Sequence, residues 1–331
     1  MKTPFKILTG ILITLSLPLN GLVFSDILID IDLTEEESGP AETILNSGSL
    51  EGDFEAEFDI PSIETVDGVN AVTLDGNNDW YVGPDASPLT GNTDRSVEAW
   101  VWNPSVPSEE TIFAWGRRGG PDASNFSMLY GNHPSYGALG AWGGNADMPF
   151  YPGGGAPEPN EWHHLVLTYN SQSNERSIYV DGELTNSENN GSFFDTHEFD
   201  DTGLALPMVI GNQNEPNGTR TDALSADLSI AKIKVHDTVL TESDVLDSFN
   251  LDKIKFGKGG PDIISFEASE NTIGPDETVT FTWEIDGAET IYIDNDIGDV
   301  SDIEEIDVTI EETTIFTISA TDSNGLTQSE S

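Results

Sequence analysis

Between residue 69 and about residue 238 the chain is a succession of short apolar runs broken by turn chemistry. The runs are VNAVTLDG (69–76), WYVG (80–83), SVEAWVWN (96–103), ETIFAWG (110–116), FSMLYG (126–131), HHLVLTYN (163–170), RSIYVDGEL (176–184), LPMVIGN (206–212) and LSIAKIKVHD (228–237). They are rich in Val, Ile, Thr and aromatic residues, with Gly, Pro, Asn and Asp between them, which predicts an all-β sandwich or barrel. Residues 26–65 set apolar pairs in an acidic background and predict one short edge strand followed by loops. A single segment, TESDVLDSFN (241–250), has helical spacing. Thr241 is its N-cap, Glu242 and Asp244 lie in the first turn, and Val245, Leu246 and Phe249 share a face.

GKGGPD (257–262) reads as a linker and a domain boundary. Beyond it, DIISFEAS, TVTFTWEID, TIYIDN, IEEIDVTI and TIFTISATDSNG give five strands. Alternation of Val279, Phe281 and Trp283, and of Phe316, Ile318 and Ala320, predicts a small Ig-like sandwich over 263–331. GLTQSES ends the chain where a closing strand is due, so the second sheet is expected to be incomplete. At the other end Lys2 and Lys6 precede the apolar run ILTGILITLSLPL (7–19), and Val23 and Ser25 stand at −3 and −1 of a cleavage before Asp26. Residues 1–25 therefore read as a signal peptide, the apolar run being too short to span a membrane. That leaves a first domain over 26–256.

Charge narrows the partners. With 12 Lys+Arg against 60 Asp+Glu the net charge is −48. Such a surface repels nucleic acid and anionic membranes. There are no cysteines, which removes disulfide and thiolate chemistry. Export without cysteines fits a bacterial secreted or cell-surface protein. The sequons at Asn125, Asn190 and Asn217 then read as chance matches.

The adjacent His163 and His164 are the first chemical candidates. Consecutive strand residues point to opposite faces, so the two cannot converge on one ion from this segment. Both are expected to be structural. Asp181-Gly182 follows as a two-residue hairpin signal, since a type I′ turn needs positive φ at both positions.

EWHHLVLTYN and RSIYVDGEL resemble the central signature of laminin-G-like (concanavalin A-like) jelly-roll domains. AVTLDGNNDWYVG (71–83), SVEAWVWNP (96–104) and LSIAKIKVHDTVLTESDV (228–245) resemble further strands of that family, in the family's order. The resemblance covers roughly 66–250, and the tail resembles the Ig-like modules that follow such domains in secreted bacterial surface proteins. It implies a concanavalin A-like/laminin-G-like jelly-roll sandwich followed by a small Ig-like β-sandwich.

The same superfamily contains glycoside hydrolases, and Glu51-Gly52-Asp53-Phe54-Glu55 matches an E-x-D-x-E pattern by letter. In so acidic a chain a short motif arises by chance, and Gly52 weakens a strand. No catalytic residue is assigned. Relatives hold calcium on rim loops, which points to Asp75, Asn78 and Asp79, with Asn77, in DGNND. Asn212, Asn214 and Asn217 in GNQNEPNG are similar; both stretches equally suit plain turns. For a glycan, an aromatic platform with planar polar groups is sought in the insert: Trp115, Arg117, Arg118, Tyr130 and Trp142, flanked by Tyr136 and Tyr151. The arginines either pair with local carboxylates or meet an anionic ligand. The role expected is non-catalytic binding of a glycan or an extracellular protein. A hydrolase or a purely architectural spacer are the alternatives.

Overall fold

The computed structural model describes residues 27–143, 145–270, 277–310, 313–322 and 327–331. The expected signal segment lies outside them. The chain is all-β, with 44% strand and 6% helix.

Two large antiparallel sheets face one another. The nine-stranded sheet runs Glu183–Glu188, Glu175–Val180, Trp162–Asn170, Arg95–Trp102, Ser229–His236, Val69–Thr73, Ser62–Val66 and Gly39–Pro40. Ile27–Asp32 also pairs with Ser229–His236. The seven-stranded sheet runs Leu139–Gly140, Asn125–Leu129, Thr111–Gly116, Pro207–Ile210, Asp79–Asp85, Phe54–Phe58 and Thr43–Ile44. Sequential hairpins at the sheet edges flank central pairs that are distant in sequence, such as Trp162–Asn170 with Arg95–Trp102 and Pro207–Ile210 with Asp79–Asp85, as in a jelly roll rather than a meander.

Alternation sorts the side chains. On the central strand Arg95–Trp102, Val97, Ala99 and Val101 join the core between the sheets, with Leu165, Leu167 and Tyr169 from the adjacent strand. The residues between them face outward yet are also buried: Trp100 and Trp162 pack with Phe256 and Phe249. The cover comes from the helix Glu242–Asp252 and the turn after it, whose Phe256 ring stacks 4.0 Å from Trp100. With both faces covered, the run from Trp162 to Tyr169 is buried without interruption, which explains its lack of polar alternation.

The helix starts as its sequence predicts. Thr241 caps it and Asp244 returns a carboxylate to the Thr241 N–H at 2.8 Å, a capping box worth about 1 kcal/mol. Val245 is buried and Phe249 stacks on Trp100, but Leu246 is left half in solvent. The Asp181-Gly182 turn takes φ of 51° and 83°, as a type I′ hairpin requires.

The C-terminal strands form a three-stranded sheet (Asp262–Ala268, Glu277–Asp286, Glu305–Ile310) and a four-stranded sheet (Gly298–Asp299, Thr290–Ile293, Ile318–Thr321, Thr327–Glu330). Between them lie Val279, Phe281, Trp283, Ile293, Val300 and Ile318. Thr327–Glu330, within the GLTQSES segment where a closing strand is due, pairs along Ile318–Thr321.

Candidate functional site

The histidine pair is divided between two buried environments. His163 points inward: its Nδ1 meets Asp181 Oδ2 at 2.8 Å and its Nε2 meets the Glu158 carbonyl at 3.0 Å. His164 points outward, with Nε2 3.2 Å from Glu98 Oε2. There it has a partner that sequence spacing hides, because His236 Nε2 lies 3.0 Å from the other oxygen of Glu98. Ser248 of the helix donates to the same carboxylate at 2.6 Å. A carboxylate only accepts, so both imidazoles present Nε2–H to it. Burial alone would raise the pKa of Glu98, but hydrogen bonds from His164 and His236 hold it well below the usual range. The cluster is a buried clamp between sheet and helix.

The aromatic platform expected in the insert separates into core and surface. Trp115 and Tyr130 are fully buried. Trp115 stacks on Phe126 at 4.6 Å, and the Tyr130 hydroxyl donates to the Glu158 carbonyl at 3.0 Å. Neither can meet a ligand, because each completes the packing between the sheets. Trp115 also faces Arg95, a buried guanidinium 5.6 to 5.7 Å from the rings of Trp115, Phe126, Tyr169 and Phe194. Burial lowers the pKa of Arg95 to about 9, which leaves it charged at neutral pH. Tyr151 packs against the core rather than standing free.

Trp142 is different. It is 42% exposed, and the Arg118 guanidinium carbon lies 5.5 Å from its ring centroid. Both border a cleft of about 210 Å³, with Tyr136, Glu109, Asp147 and Gln213. The hairpin joining Thr111–Gly116 to Asn125–Leu129 places Arg118. Gly116 opens it at φ 80°, and a Cβ there would fall 2.5 Å from the Ser124 carbonyl. Arg118 N–H then donates to the Asn214 carbonyl at 2.9 Å, and its side chain reaches Glu215 at 3.3 Å. Trp142 is held by its N–H to Asn125 Oδ1 at 2.7 Å.

The floor of the cleft is made of buried amides whose groups are committed. Asn125 donates to Ser127 Oγ and to Gln213 Oε1, at 2.9 and 3.3 Å. Gln213 donates to Glu109 Oε1 and Thr111 Oγ1, each at 3.0 Å. This fixes Glu109 at the wall before any ligand arrives. Asp147 accepts the Ala141 N–H at 2.7 Å. Burial pushes its pKa up to about 6, with the nearby charge of Glu109 adding to the effect.

Arg117 does not join this group. It borders a second cleft, of about 350 Å³, with Thr196, His197, Glu198 and Phe199.

Among the described residues no cluster of three or more His, Asp or Glu is arranged to hold a metal ion. Asp75 Oδ1 accepts the Asn77 N–H at 2.9 Å, as a turn residue does, and the Asn78 N–H donates to Asp222 at 3.1 Å. Asn212 donates to the Thr221 carbonyl at 3.1 Å, Asn214 to that of Pro207 at 2.8 Å, and Asn217 accepts from Thr219 at 2.7 Å. Asp79 is the exception to this turn chemistry. It is buried, its Oδ2 takes the Asp75 N–H, and its Oδ1 has no hydrogen-bond partner. Burial raises its pKa to about 6, with Asp75 contributing. An orphaned buried carboxylate oxygen fits a cation; Asp75 and Asn78 are engaged otherwise.

Glu51, Asp53 and Glu55 do not form a catalytic face. The strand begins at Phe54, so the first two lie in the preceding loop and all three are exposed. Asp53 accepts from Asn46 N–H at 2.9 Å and Glu55 from Thr43 Oγ1 at 2.8 Å.

Structural likeness reaches three domains of known structure. Domain 4 of AbnA, a GH43 extracellular arabinanase from Geobacillus stearothermophilus, is 17% identical, with a TM-score of 0.46 over 67% of this chain and 98% of that one. The receptor-binding domain of botulinum neurotoxin D is 10% identical, with a TM-score of 0.46 over 89% and 86%. The binding domain of Paraclostridial Mosquitocidal Protein 1 is 12% identical, with a TM-score of 0.47 over 89% and 70%. No curated protein matches in sequence. A sequence model of the concanavalin A-like lectin/glucanases superfamily matches residues 75–246. With more than half of its 331 residues matched, the chain belongs to the laminin-G-like family of that superfamily.

Proposed function

We propose that the protein is a non-catalytic extracellular module that binds a glycan in the Trp142 cleft. One observation carries the reading. An exposed indole with a guanidinium over it stands beside a preorganised wall of carboxylate and amide groups. An indole face packs against the C–H face of a sugar ring, and fixed acceptors select its hydroxyls. A cleft of about 210 Å³ suits a sugar unit better than a protein surface. Export through residues 1–25 and an Ig-like spacer over 263–331 belong to the same proposal. The three-on-four pairing of the C-terminal strands supports the spacer. No helix of the described residues is long and apolar enough to cross a membrane. A calcium ion at Asp79 is included on the strength of its orphaned oxygen.

A second reading, glycoside hydrolysis, is favoured by one feature: Asp147, with its raised pKa, shares the cleft with Glu109. The test is titration of a panel of soluble oligosaccharides, followed by chromatography of the sugar. Binding with intact sugar recovered, lost in Trp142→Ala, is the expected result. Shortened products would establish the hydrolase. Neither binding nor cleavage would leave the spacer role.

A further inference from the structure

Arg117 and Arg118 are consecutive residues that serve two different clefts. Arg118 borders the cleft of about 210 Å³ with Trp142, and Arg117 that of about 350 Å³ with Phe199. The wall between them is the hairpin that carries both arginines. On one side Ala123 N–H donates to the Trp142 carbonyl at 2.6 Å. On the other, the Ala123 carbonyl accepts the Asp195 N–H at 3.0 Å and that of Ser124 accepts the His197 N–H at 2.9 Å. The two clefts are therefore contiguous, separated by one turn of backbone.

Each cleft repeats the same chemistry. Trp142 is 42% exposed and Phe199 46% exposed, so each cleft has an exposed ring for stacking. Each has one arginine, and the Arg117 Nε is buried without a hydrogen-bond acceptor. Each is walled by carboxylates: Glu109 and Asp147 in the first, Asp195 and Glu198 in the second. Acidic groups outnumber the arginine on both sides, and Arg118 is already paired with Glu215. The local field thus repels an anionic sugar.

We propose that the two clefts are successive subsites for one extended, uncharged polysaccharide crossing the Gly116–Ser124 hairpin, so that the protein reads an internal stretch of polymer. This rests on the glycan reading of the Trp142 cleft. A second subsite on a linked ligand raises affinity without altering the first.

The test is calorimetric titration with disaccharides and hexasaccharides of the cello-, manno- and xylo- series, and with hexagalacturonate. The proteins are wild type, Trp142→Ala, Phe199→Ser, and the double variant Arg117→Ala with Phe199→Ser. For the neutral series that binds, the hexamer is expected to bind at least about tenfold tighter than the dimer. Phe199→Ser alone should weaken the hexamer, and the double variant should bring it down to the dimer's affinity, with the dimer unchanged. Trp142→Ala should lose both. Equal affinity for dimer and hexamer, or no effect of the double variant on the hexamer, overturns the two-subsite proposal and leaves the glycan reading standing. Hexagalacturonate binding as tightly as a neutral hexamer overturns the charge assignment. Binding of no probe by wild type sinks the glycan reading itself.

Discussion

Arg118 lies over Trp142 with its guanidinium carbon 5.5 Å from the ring centroid, and the pair stands at the surface while Trp115 is sealed in the core. The two tryptophans should therefore separate binding from stability. Trp142→Ala is expected to weaken glycan binding by about tenfold or more, about 1.4 kcal/mol, with little change in the unfolding midpoint. Trp115→Ala removes a buried indole and the ring beside Arg95, and should cost about 3–5 kcal/mol. Parallel denaturation and calorimetry on the two variants check this; equal loss of stability in both would contradict the surface assignment of Trp142.

Glu98 ties His164, His236 and Ser248 into one buried cluster, so its loss should loosen the helix from the sheet. Glu98→Ala leaves both imidazole N–H groups without an acceptor and is expected to cost about 3–5 kcal/mol. Glu98→Gln keeps the shape and should cost less. The folded-state pKa of Glu98 is depressed below its ordinary value of 4.5, so its contribution is present above that value. It is lost as pH falls through the depressed pKa. Urea denaturation of wild type and Glu98→Gln from pH 7 to pH 3 should show the gap between them closing below about pH 4.5; a gap that widens on acidification would refute the assignment.

Much of the fold was legible because its signals are local. The Asp181-Gly182 turn, the Thr241 cap and the strand runs between 69 and 238 depend on residues within a few positions of one another and appear where the pattern places them. By contrast 26–65, expected to give one edge strand and loops, supplies five strands that pair with partners such as Asp79–Asp85 and Ser229–His236. The division of His163 from His164 followed from strand alternation alone. The cleft was only half legible. Trp142 and Arg118 could be named because exposed-type aromatics and rare cations stand out in an acidic insert. Trp115 and Tyr130 looked the same in sequence, and only sheet pairing shows that their strands turn them inward. Glu109, Asn125, Asp147 and Gln213 come from four separate segments, so no spacing marks them as neighbours. The His164–Glu98–His236 cluster was hidden for the same reason, its three members being supplied by three strands paired across the sheet.

Asp147 sets a pH dependence on the cleft. Burial and Glu109 raise its pKa to about 6, so it gains its charge as pH rises through that value. An ionised carboxylate accepts hydroxyl hydrogen bonds more strongly than a protonated one. Affinity for a neutral oligosaccharide should therefore rise between pH 5 and pH 7, and Asp147→Asn should flatten the profile. Calorimetry at several pH values decides this. A profile in Asp147→Asn that still follows wild type would place the titrating group elsewhere.

Asp79 is buried with one oxygen unsatisfied, and its pKa is raised from 3.8 to about 6. A carboxylate with a raised folded-state pKa binds its proton more tightly in the native state. Stability therefore falls as pH rises from about 3.8 to about 6 and is level above that. Asp79→Asn mimics the protonated form and keeps an acceptor for the Asp75 N–H. At pH 7 in chelator it should stabilise the fold by about 1–3 kcal/mol, on the scale of 1.36 kcal/mol per pKa unit. At pH 4 the gain should be small. Calcium would reverse the order, because a cation on Oδ1 removes the penalty in wild type and finds no carboxylate in the variant. Thermal unfolding of both proteins with chelator and with millimolar calcium separates the cases. A calcium-dependent rise in wild type alone supports the ion, whereas identical curves with and without calcium would remove it and leave Asp79 a plain buried acid.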